Sequence, residues 1–90
     1  MSNIRVIDSV KVKGKSEPIT IYEVYDADPP ASITLKNATR TDFELGFVLY
    51  HCDNITDAKL YFEKVLQINE NDTVAQIYFK RCKFLLKTGI

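Results

Sequence analysis

Residues 4–25 read IRVIDSVKVKGKSEPITIYEVY, and the fold follows from the way this stretch alternates. Between positions 4 and 13, Ile4, Val6, Val10 and Val12 fall on one side of an extended chain. Arg5, Ser9, Lys11 and Lys13 fall on the other, with Asp8 out of phase. Residues 19–25 are β-branched or aromatic at most positions, and Gly14 to Pro18 supply a turn, so the stretch predicts an antiparallel β-hairpin. This phase places Arg5 on the polar side with the lysines. Two strands alone are marginal in water and expose two unpaired edges beside an apolar face, so the hairpin is expected to be covered by something else.

Beyond the hairpin, residues 26–40 carry Pro29-Pro30 followed by small polar side chains, the composition of a linker. Thr41 and Glu44 then form a capping box, in which hydroxyl and carboxylate satisfy backbone donors at a helix start. Phe43, Gly46, Phe47 and Tyr50 recur at helical spacing behind it, widened by Leu45 and Leu49 and interrupted at residues 51–54. A second helix is predicted from about Ile55 to Ile68-Asn69, with Ile55, Ala58, Phe62, Val65 and Leu66 on one face. A third, capped by Asn71 or Asp72, is predicted to run to about Lys87, with Val74, Ile77, Tyr78 and Leu85 on one face and Gly89 at the stop. The fold class expected is α+β: a hairpin over 1–25, a linker over 26–40 and three antiparallel helices over 41–90.

With 90 residues, of which 46% are hydrophobic, the chain builds one small core, which excludes a large enzyme. Twelve basic residues balance twelve acidic ones, so neither nucleic acid nor a membrane surface is expected as a general partner. No signal-like opening and no apolar run of spanning length are seen, which gives a cytoplasmic expectation. On that expectation the Asn-x-Thr triplets at Asn37, Asn54 and Asn71 read as helix-start residues rather than glycan acceptors. Cys52 and Cys82 lie in apolar helical patterns and read as reduced, buried thiols. Residues 41–72 carry seven acidic and two basic side chains, whereas 73–90 carry Lys80, Arg81, Lys83 and Lys87 without an acid.

No chemistry assembles from these residues. His51, Cys52, Asp53 and Cys82 lack the second ligand pair that tetrahedral zinc wants, and adjacent helical residues point in different directions. A Cys-His nucleophile has no positioned third group here, and Gly14 is no phosphate loop because no glycine-rich turn runs into a helix. No catalytic residue, metal or cofactor is therefore expected.

Two resemblances sharpen the reading. Phe43 to Asp72 resembles a tetratricopeptide repeat: Leu45-Gly46 matches the Leu-Gly pair of its first helix and Tyr50 stands near its aromatic, while Ala58 and Phe62 match the small and aromatic positions of its second. Glu70 stands where that repeat usually has proline, and its first-helix tryptophan is missing. RVIDSVKVKGKSEPITIYEVYD resembles the sequence that closes the catalytic domain of class III adenylate/guanylate cyclases, which a tetratricopeptide-like tail follows in many bacterial members. This resemblance implies the C-terminal end of such a cyclase, without the family's metal-binding aspartates and transition-state Arg and Asn, which come from earlier elements. It also implies that Lys13 or Lys15 is a remnant polyphosphate contact; on an isolated hairpin both read as solvated turn lysines. The function implied is a non-catalytic structural or regulatory segment in cyclic-nucleotide signalling that binds protein, either a second copy of itself or a cyclase catalytic domain. The alternative is a free-standing tetratricopeptide adaptor, presenting Leu45, Val48 and Leu49 to a peptide.

Overall fold

The computed structural model describes residues 3–89. Strand β1 (Ile4–Val10) pairs antiparallel with β2 (Ile19–Val24), and helices α1 (Pro30–His51), α2 (Ile55–Ile68) and α3 (Thr73–Lys87) follow. The α+β architecture of a hairpin followed by three helices is the one the alternation and helical spacing predict.

The first correction concerns residues 30–40, which are not an extended linker but the first three turns of α1. Proline has no N–H to lose at the first helical position and its φ is already helical, so Pro30 begins the helix that the dipeptide seemed to forbid. Thr41 accordingly lies inside α1, and no side chain caps the helix at Pro29. The early turns are held instead by tertiary bonds. Lys36 reaches Glu23 at 3.0 Å and Asp28 at 2.7 Å, and the Tyr25 hydroxyl meets the Asn37 amide oxygen at 2.5 Å. Asn37 is thus a mid-helix residue fastened to the hairpin rather than a helix start, whereas Asn54 caps α2 and Asp72 caps α3.

Phe43, Phe47, Ile55, Ala58, Phe62, Val65, Ala75, Tyr78 and Cys82 form the core. Tyr78 is its hub: its ring stacks on Phe62 with centroids 4.9 Å apart and meets Phe43, Phe47 and Tyr50 edge-on. Edge-on and offset contacts suit the ring quadrupole, so one tyrosine ties all three helices together. Ile77, expected on the buried face, is 48% exposed, and its place is taken by Ala75 and Cys82. Cys52 was likewise expected to be buried; it lies exposed just after α1, beside Asp53, whose positive φ of 62° turns the chain toward α2.

Gly46 lies where α1 crosses α2. A Cβ there would stand 3.0 Å from two carbons of the Phe62 ring, so hydrogen is the only side chain this crossing accommodates without movement. Gly46→Leu is expected to cost about 1–3 kcal/mol through overpacking, measured as a lowered denaturation midpoint. An unchanged midpoint would contradict the close approach.

Candidate interaction surface

The hairpin joins the helices through a charge that the strand alternation had placed in solvent. Residue Ile7 is a β-bulge: Val6 pairs with Tyr22 and Asp8 with Ile21, so one extra residue stands on β1 and the phase of the strand shifts. Arg5, on the near side of that bulge, is 1% exposed. Its guanidinium forms a two-pronged bond to Asp72 at 2.6 and 2.9 Å, a third bond to Glu23 at 2.7 Å, and lies 4.2 Å from the Phe43 ring centre. Burial draws the Arg5 pKa down, but the bonds to Asp72 and Glu23 outweigh it and leave the guanidinium held above its usual value, hence charged. Asp72 in turn accepts from the Ala75 amide, so the same carboxylate caps α3 and anchors the hairpin.

Two further side chains reach the backbone of β1 from the helices. The Val6 amide donates to Glu44 at 3.2 Å and the Ile4 carbonyl accepts from Arg40 at 3.3 Å, so α1 occupies the outer edge of this strand. At the bulge the Tyr78 hydroxyl donates to the Ile7 carbonyl at 2.6 Å. Burial first, then the nearby Asp8 carboxylate, hold the Tyr78 phenol well above its ordinary value. Because the folded protein keeps this proton while the unfolded chain releases it near pH 10, stability is expected to fall as pH rises past about 10. Tyr78→Phe is expected to cost about 1–2 kcal/mol at neutral pH by orphaning the Ile7 carbonyl, and to flatten the alkaline limb, as urea midpoints at pH 7 and 11 would read out.

On the other side the hairpin is bare. Within β2 only Glu23 is half-buried; Ile19, Ile21, Tyr22 and Val24 are 49%, 39%, 57% and 61% exposed. Lys13 and Lys15 are exposed near the turn, where the Lys15 amide bonds to the Val12 carbonyl and Gly14 takes a φ of 86°. They are not brought together with Arg5 or with any core polar group. Of the repeat positions, Gly46, Ala58 and Phe62 meet in the α1–α2 crossing and Tyr50 packs at its margin, while Leu45 is 42% exposed beside Val48 at 53%. A groove lined by Pro29, Ser32, Leu35, Lys36, Asn69 and Thr73 separates the start of α1 from the α2–α3 turn. Its one cation, Lys36, is already neutralised by Glu23 and Asp28, so it offers little to an anion.

Among the described residues no group of three or more His, Cys, Asp or Glu side chains converges, and no helix is long and apolar enough to cross a membrane. What the arrangement offers is surface: an open strand with apolar side chains, held rigidly by buried ionic and hydroxyl bonds. This defines a small α+β protein with one sheet edge left open among the described residues.

The comparisons place this chain beside a cyclase. It is 39% identical over 85 residues to a protein of Dictyostelium discoideum described as "Adenylate cyclase, terminal-differentiation specific", and is thereby related in sequence to an adenylate cyclase. The match takes in 94% of this chain, hence both hairpin and helices, and 4% of that protein, of which the chain spans only a small part. No family model and no solved structure matches it.

Proposed function

We propose that this chain is a non-catalytic, protein-binding segment of a class III cyclase-like protein, in which the hairpin closes a catalytic domain and a tetratricopeptide-like helical tail follows. The observation that carries this reading is the Arg5–Asp72 bond, buried at both ends, which makes hairpin and helices one body while leaving β2 open. A segment of this kind regulates assembly rather than turnover. It works in the cytoplasm, where nucleotide is available, and its partners are a second copy of itself or a cyclase catalytic domain. On this reading Lys13 or Lys15, both exposed near the turn, is the residue that contacts a polyphosphate held by such a domain.

The test has two parts. The purified chain, given ATP with magnesium or manganese, is expected to form no cyclic AMP. Sedimentation equilibrium, alone and with the catalytic domain of the related cyclase, is expected to show association in at least one of the two. Turnover of nucleotide by the chain alone, or a monomer that binds neither partner, would overturn the reading. A free-standing adaptor is the second reading, favoured by the exposure of Leu45 and Val48 on α1. Sequencing the transcript upstream of the Met1 codon distinguishes the two, because an in-frame catalytic domain excludes the adaptor.

A further inference from the structure

The two edges of the hairpin are chemically unlike. On β1 the outward-facing Val6 amide and Ile4 carbonyl are bonded by Glu44 and Arg40. The Tyr25 amide bonds the Asn3 carbonyl across the ladder. The alternation of an antiparallel pair therefore turns the backbone groups of Glu23 and Ile21 toward β1, and those of Thr20, Tyr22 and Val24 toward the opposite edge. Among the described residues no hydrogen bond reaches those three.

We infer that β2 pairs antiparallel with β2 of a second copy about a two-fold axis at Tyr22, joining two hairpins into one continuous four-stranded sheet. This rests on the protein-binding reading above and names its partner. The register follows from which groups are available and from charge. With the axis at Tyr22, the outward pairs are Tyr22 with its mate and Thr20 with Val24 of the other copy, so every free donor and acceptor of the edge is used. With the axis at Ile21, Val24 is left unpaired. With the axis at Glu23, or with the strands parallel and in register, Glu23 stands directly opposite its own copy, which is repulsive.

In the Tyr22 register Glu23 faces Ile21 instead. Glu23 bonds Arg5 at 2.7 Å and Lys36 at 3.0 Å, which holds its carboxylate toward α1 and away from the open edge. The hairpin is also fixed in advance by Asp72 and Tyr78, so little conformational freedom is lost on pairing. A C2 arrangement closes on itself, because β2 of each copy is used once and the β1 edge already carries Glu44 and Arg40.

Sedimentation equilibrium of the full chain, paired with hydrogen exchange, tests this. The wild type is expected to dimerise, with the Thr20, Tyr22 and Val24 amides exchanging more slowly as concentration rises. Tyr22→Lys, which sets two like charges across the axis, is expected to weaken the dimer roughly tenfold or more with its circular dichroism melt retained. Val48→Glu on α1 is expected to leave it intact. Should Tyr22→Lys fail to fold, the wild-type amide exchange still decides. A dimer whose β2 amides stay unprotected, or that dissociates with Val48→Glu alone, would overturn β2 pairing while leaving a protein-binding segment in place. So would a monomer that binds a cyclase catalytic domain in a Tyr22-dependent way, since another strand would then fill the edge. A monomer that binds neither partner would overturn both proposals.

Discussion

Asp72→Ala is expected to destabilise the protein by about 3–5 kcal/mol, the cost of leaving a buried guanidinium without its carboxylate. The Asp72 side chain is fully buried and bonds both prongs of Arg5, and its loss also removes the cap of α3, typically worth about 1 kcal/mol. A domain of this size has roughly 5–13 kcal/mol in all, so the variant is expected to be partly unfolded at 37 °C, seen as a collapse of the urea midpoint. Replacing both partners with apolar residues, Arg5→Met with Asp72→Leu, is expected to recover much of the loss, since a packed apolar pair is often as stable as an ion pair. Additive losses in this double-mutant cycle would show that the two charges do not depend on one another.

Phe43→Ala is expected to cost a further large amount, about 3–5 kcal/mol, for two separable reasons. Phe43 is wholly buried and meets Phe62 and Tyr78 edge-on at 5.5 and 6.1 Å, so truncation opens a cavity in the centre of the helical core. Its face also receives the Arg5 guanidinium at 4.2 Å, and that contact is lost with the ring. Phe43→Leu fills most of the volume but has no π face, so the difference between the two variants isolates the cavity. The residual cost of leucine, and its dependence on Arg5, then reports the cation–ring contact in a calorimetric melt. Equal melting temperatures for Leu and Phe would remove Arg5 stacking from the account.

The repeating features were legible in the residues. Helix α2 begins and ends where its apolar stripe does, and Phe43, Gly46, Phe47, Ala58 and Phe62 meet as their spacing requires. Features that depend on a single exception were not. The start of α1 was hidden because a Pro-Pro pair reads as a breaker, and only Pro30 at the first helical position together with the ties to Glu23 and Tyr25 makes helix of the segment behind it. Arg5 was hidden because alternation assumes one residue per step, and the Ile7 bulge breaks that assumption. A further obstacle is distance: nothing local to Arg5 marks Asp72 as its partner, although the apparent misfit of Asp8 in the strand pattern was a visible trace of the bulge. For the surface, the sequence exposed the need for cover but not that α1 side chains block one edge and leave the other.

The Arg5–Asp72 bond also joins positions 67 residues apart, so it sets a clock on biosynthesis. A ribosome adding about 5–20 residues per second needs roughly 3–13 seconds to travel from one partner to the other. Until then Arg5 has Glu23 of its own hairpin but neither the Asp72 carboxylate nor α3.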